Sequence, residues 1–124
     1  MRIRVLSEPL AMIRLEPSEP WPDWLPHDGF VSVTRTSGEL SIVCAVEAAP
    51  TSARVEAGWC ALEVDGPLDF ALTGVLVSLA VPLANADVSI FVISTFDTDY
   101  MLVRAHDLER AIDVLRSAGH VIED

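Results

Sequence analysis

Two rhythms of apolar residues succeed one another along the chain. Over Phe30–Thr36 the side chains alternate, with Phe30, Ser32, Thr34 and Thr36 on one face and Val31, Val33 and Arg35 on the other, which is the period of a half-buried strand. Ser37-Gly38-Glu39 is a tight turn, and the apolar run Leu40–Val46 completes a hairpin. Further apolar runs at Leu10–Leu15, Trp59–Asp65, Val88–Ile93 and Asp99–Arg104 read as strands, with a last short one at His120–Glu123. The second rhythm is helical. Leu108, Ala111, Ile112 and Leu115 recur at i, i+3, i+4 and i+7, which predicts an amphipathic helix over Asp107–Ala118, with acids at its start and Gly119 just past its end. Another helix is predicted from Thr73, a natural N-cap, to Asn85. Val75, Leu76, Val77, Leu79, Val81 and Leu83 surround it, so it is expected to be buried on most sides, in a core or a subunit interface. Pro82 in its last turn removes the bond to the Ser78 carbonyl.

The remaining segments punctuate these elements. Residues 1–9 read as an extended lead-in ended by Pro9. Glu16–Pro26 carries Pro17, Pro20, Pro22 and Pro26, which forbids a regular helix there, and Trp21, Trp24 and Leu25 are expected to fold down as a cap on the core. Asp28-Gly29 is a turn, and Ala48–Ala57, with Pro50, Thr51 and Ser52, reads as a loop. From Trp59 to Glu123 the order is therefore β-α-β-β-α-β, the split βαβ arrangement of ferredoxin-like units. The first half repeats that order with both helices eroded. The predicted fold is α+β, two tandem units covering residues 1–58 and 59–124.

Composition narrows the function classes. The chain has 124 residues, 51% of them hydrophobic, which is enough apolar surface for a real core. Net charge is −11, and all eight basic residues are arginine. Such a chain is repelled by nucleic acid and by anionic membrane surfaces. No apolar run has the length of a membrane span, and the basic start Met1-Arg2-Ile3-Arg4 is not followed by the apolar region of a signal peptide. A cytoplasmic protein with reduced thiols at Cys44 and Cys60 is the expectation. His27, His106 and His120 are scattered, so neither a metal nor another cofactor is expected.

The candidate chemistry lies in Ser94-Thr95-Phe96-Asp97-Thr98-Asp99, between two apolar runs. A hairpin turn of ordinary chemistry would carry glycine or asparagine, whereas this stretch offers hydroxyls, carboxylates and backbone amides suited to a small polar molecule. Thr73-Gly74, at the start of the apolar helix, adds exposed amides and a position without a Cβ. Each residue also has a structural reading. Asp99 pairs with a ligand cation or caps its own loop, Asp97 closes an Asx-type turn, Ser94 and Thr95 hold a ligand carboxylate or the strand ends, and Arg35 grips a carboxylate or is simply solvated. An enzyme is not expected, because Ser94 has no activating His or Lys at motif spacing and no phosphate loop is present.

The runs Gly74–Ala84 and Val88–Val103, together with Phe30–Thr36, Glu39–Cys44 and Trp59–Phe70, resemble the ACT domain. More narrowly, they are similar to the ACT group of small bacterial tandem-ACT proteins and the CASTOR-type arginine sensors of animals. The resemblance covers roughly residues 10–120. It implies a non-catalytic regulatory role and a small-molecule ligand, usually an amino acid, held between two ACT units. Matched residue by residue, it implies ligand contacts at Gly74, Val75, Thr95, Phe96, Thr98 and Asp99, with Asp99 gripping the charged group. The bulky aromatic that the animal sensor has at the Thr98 position is absent. Two readings stand at this point: a sensor that binds an amino acid, with a homodimer as one expected assembly, and a structural or protein-interaction module without a ligand.

Overall fold

The structure is a computed structural model, and it describes residues 1–51, 54–66 and 74–123. The expected N-cap Thr73 and the lead-in Leu68–Leu72 lie outside the described residues. The chain forms two compact units, one of Glu8–Trp59 and the other of Met1–Ser7 with Cys60–Asp124. The expected border after residue 58 is thus one residue early, and the first seven residues belong to the C-terminal unit rather than the N-terminal one.

The C-terminal unit contains β1 (Arg2–Val5), the second part of β5 (Arg54–Val64), α1 (Val75–Asn85), β6 (Ile90–Ser94), β7 (Asp99–Arg104), α2 (Leu108–Ser117) and β8 (Val121–Glu123). Its strands lie in the order β6-β7-β5-β1-β8. Without β1 this is the ferredoxin-like sheet. The lead-in expected at residues 1–9 is in fact a strand, antiparallel to β5 with Ile3 opposite Val64 and parallel to β8 with Ile3 opposite Ile122. Ile3 is fully buried while Arg2 and Arg4 are exposed, the alternation of a strand with one covered face. Ile3, Leu62, Val64, Leu79, Leu83, Met101, Val103, Ala111, Leu115 and Ile122 form one core cluster of sheet and helix residues.

The helices end as their sequences dictate. Past α2, the amides of Gly119 and His120 bond back to the carbonyls of Arg116 and Leu115, and past α1 those of Asp87 and Val88 bond to Ala84 and Leu83, the paired closure of a Schellman motif. Asp87 adopts the left-handed conformation, φ 59°, in the second case. Pro82 lies inside α1 and leaves the Ser78 carbonyl without its helical donor; His120 Nε2 takes that place at 3.1 Å. The core of this unit covers α1 on one side only: Leu79 and Leu83 are in it, while Val77 is 61% and Val81 50% exposed.

The N-terminal unit has four strands, β2 (Leu10–Leu15), β3 (Ser32–Arg35), β4 (Leu40–Ala45) and the first part of β5, with a single helical turn at Val46–Ala48. All neighbours are antiparallel, in the order β3-β4-β2-β5, which is the ferredoxin-like sheet with its helices worn away. Part of the expected loop Ala48–Ala57 is strand instead, since Val55 and Glu56 pair with Ile13 and Met12. The register then slips by one residue so that Leu10 faces Trp59, and Gly58, at φ +86°, supplies the positive φ of that bulge. Ile13, Ile42 and Cys44 are the buried centre, with Trp24, Leu25, Val31 and Val33 against them. Trp24 and Leu25 cap this core as expected, whereas Trp21 does not and stays 61% exposed.

Candidate functional site

The stretch Ser94–Asp99 is the end of a hairpin. β6 and β7 pair from Ile90 with Val103 to Ser94 with Asp99, leaving Thr95–Thr98 as a four-residue turn. The turn closes without glycine or asparagine because Thr95 does their work. Its amide donates to the Thr98 carbonyl at 2.8 Å, its hydroxyl donates to the same carbonyl at 3.1 Å, and its Oγ1 accepts the Thr98 amide at 3.3 Å. This is the local side-chain-to-backbone bonding through which threonine stabilises turns.

Each candidate residue of the hairpin has a distinct place. The Asp99 carboxylate accepts the Ser94 hydroxyl at 2.6 Å through Oδ1, a charge-assisted bond that fixes its rotamer and leaves Oδ2 for another cation or donor. Phe96 stands at the tip and is 80% exposed. Thr98 is only 7% exposed, and its hydroxyl donates to the Val64 carbonyl at 2.6 Å. That bond joins the turn to the end of β5, so Thr98 orients the hairpin with the group that the resemblance assigns to a ligand.

The start of α1 is the other half. Gly74 is its N-cap at φ +77°, a conformation that favours glycine, and a Cβ there would meet no atom of the described residues within 4 Å. Among the described residues no side-chain hydrogen bond caps the helix; the first helical bond runs from the Ser78 amide to the Gly74 carbonyl at 2.9 Å. Amides of the first turn have no acceptor within the helix, and the helix dipole stands behind them. Val75 packs on the core cluster that contains Val64, the residue whose carbonyl Thr98 holds.

Next to the hairpin, Tyr100 donates its hydroxyl to Glu63 Oε2 at 2.7 Å, and Glu63 also takes Arg4, its cross-strand neighbour. Burial, then the bond and charge of Glu63, push the Tyr100 hydroxyl up to about 12. Burial also raises both thiols; at Cys44 the charge of Glu8 adds to it, so neither is a thiolate nucleophile at neutral pH. Asp97 lies in the turn and Asp99 in the strand, so the two acids do not share a strand face as their spacing alone allows. Arg35 is exposed on β3 and donates to the Pro17 carbonyl. Sequence reading passed over Arg14 and Arg54, which line a cleft in the N-terminal unit with Trp21 and Trp24. The exposed indole of Trp21 in a proline-rich arm was the available signal.

The ACT-domain family model matches residues 54–117, and a second model, describing an N-terminal domain, matches residues 8–52. A protein of Agobacterium tumefaciens with a crystal structure is 43% identical, over 98% of this chain and 91% of that one, with a TM-score of 0.93. The cytosolic arginine sensor for mTORC1 subunit 1 of Rattus norvegicus is 39% identical over 59 residues, 47% of this chain and 18% of the sensor. The match thus spans less than a fifth of that curated relative. The regulatory subunit of Thermus thermophilus aspartate kinase, in its ligand-free form, shares the fold at 10% identity, with a TM-score of 0.63 over 90% of this chain and 93% of that one.

Proposed function

The chain belongs to the ACT-domain family, and from that premise we propose that it is a non-enzymatic regulatory protein that binds an amino acid beside Gly74 and the Thr95–Asp99 hairpin. Gly74, Val75, Thr95, Phe96 and Asp99 are the contacts in this reading. Thr98 holds the hairpin in place. The amides at the start of α1 take the ligand carboxylate, and Asp99 takes an ammonium or guanidinium in a bond of about 1.5–3 kcal/mol. Arginine is one candidate, since the rat relative is named as an arginine sensor. That relative is also named as cytosolic, and the same compartment is proposed here. A second ACT-like unit supplies the opposite wall, and the ligand favours the docked arrangement by its difference in affinity between the two states. The exposed Val77 and Val81 of α1 are a face on which two copies would associate.

The observation that carries the reading is Gly74 at the start of α1, where the backbone takes a glycine-favouring conformation and, among the described residues, no atom lies within 4 Å of the place of a Cβ. Thermal unfolding against each of the twenty amino acids tests it. A specific ligand at 100 times its dissociation constant stabilises by about 2.7 kcal/mol, and Asp99→Ala removes that shift while leaving the fold. Should no amino acid raise the melting temperature, the exposed valines of α1 favour the other reading, a protein-interaction module.

A further inference from the structure

The N-terminal unit carries a cleft of about 560 Å³ lined by β2, the first residue of β5 and the proline-rich arm, which is the size range of small-molecule sites. Its composition is unusual for a surface this acidic. Arg14 and Arg54 are cross-strand partners in the β2–β5 ladder, so two guanidiniums issue from one face at directly opposite positions. Like charges so placed repel. Arg14 is held by the Gly38 carbonyl at 2.8 Å and more loosely by Glu16 at 3.5 Å. No ion pair or hydrogen bond holds the Arg54 guanidinium among the described residues. The indoles of Trp21 and Trp24, with Pro20, Pro22 and Pro50, add an apolar lining. Trp24 is fixed by the core beneath it, while Trp21 leaves most of its ring in the open.

The lining is also built in advance. Arg35 ties the Pro17 carbonyl to β3, the Glu16 and Glu19 segment closes on itself through the Glu19 amide to the Glu16 carbonyl and the Glu16 amide to Glu19 Oε2, and the Leu25 amide bonds the Pro22 carbonyl. With four prolines in the arm, little backbone freedom remains to be lost when a ligand enters.

We propose that this cleft binds a small monocarboxylate carrying a planar ring, with the carboxylate between Arg14 and Arg54 and the ring on the Trp21 indole. An anion between the guanidiniums turns their repulsion into two charge-assisted bonds, and stacking uses the exposed indole. Glu16, Glu19 and Asp23 at the same cleft repel a second negative charge, which selects a monoanion over phosphate or a dicarboxylate. The site stands independently of any ligand at the C-terminal unit, because all its residues lie in Glu8–Trp59.

The test is titration of the whole chain with phenylacetate, phenethylamine and inorganic phosphate, followed by the indole N–H and arginine side-chain signals in nuclear magnetic resonance. Phenylacetate is expected to shift the Trp21, Arg14 and Arg54 signals saturably, and the other two are not. Arg54→Gln and Trp21→Ala each weaken phenylacetate binding about tenfold, while Trp21→Phe retains it. In the absence of ligand, Arg54→Gln leaves the melting temperature unchanged or raises it, because it removes a like-charge pair; a structural arginine would lower it. The proposal is overturned if phenylacetate gives no saturable shift, if phenethylamine or phosphate binds as well, or if Arg54→Gln binds phenylacetate like the parent.

Discussion

Thr98→Val isolates the bond that holds the hairpin in register with β5. Valine keeps the branch at Cβ and nearly the volume of threonine, so packing and strand preference change little, and the loss is the hydroxyl. That hydroxyl is 2.6 Å from the Val64 carbonyl on a residue 7% exposed. Removing a neutral donor from a buried acceptor costs about 1–3 kcal/mol, against a net gain of about 0.5–1.5 kcal/mol for an ordinary intramolecular bond. Thr98→Ser keeps the donor and loses one methyl, about 0.8 kcal/mol. The predicted order of stability is therefore wild type, then Thr98→Ser, then Thr98→Val. Urea unfolding followed by circular dichroism reads it as a falling midpoint at constant slope. A Thr98→Val midpoint equal to wild type, or a serine variant less stable than the valine one, refutes the reasoning.

Other predictions follow from single contacts. Tyr100 is raised to about 12 by burial and Glu63, so its neutral form is favoured in the fold; its contribution is complete below about pH 10, where the unfolded tyrosine is still neutral, and is lost as pH rises toward 12. Tyr100→Phe should flatten stability over that window in pH-dependent unfolding. Cys44 is buried and its thiol is raised by burial and Glu8, so in the folded protein a thiol reagent should react with it far more slowly than in urea. Asp87 holds φ 59° at the end of α1; Asp87→Gly should raise stability by about 0.5–1 kcal/mol, measured by the same denaturation.

What could be read from the chain was what local patterns encode. The helix Asp107–Ala118 and the hairpin Phe30–Val46 announce themselves by period, and both are present with trimmed ends. The strand Arg2–Val5 has the right alternation, Arg-Ile-Arg-Val, but its partners are β5 and β8, far along the chain, and nothing local identifies them. Arg54–Ala57 reads as part of a loop because it follows Pro50, Thr51 and Ser52 with little periodicity; pairing with β2 makes it strand. The Ser94–Asp99 stretch looked too polar to be only a turn. It is a turn in which Thr95 bonds the Thr98 backbone, Ser94 bonds Asp99 Oδ1 and the Thr98 hydroxyl bonds Val64. Trp21 was misjudged because an indole is normally buried; the arm that carries it is stiff enough to hold it in the open.

Amide shifts of isotope-labelled protein, recorded with each amino acid in turn, test the central proposal most directly. At least one amino acid should move the amides of Val75, Thr95, Phe96 and Asp99 saturably and together. If those amides stay still across the panel, or the shifts fall only elsewhere, the amino-acid site beside Gly74 does not exist.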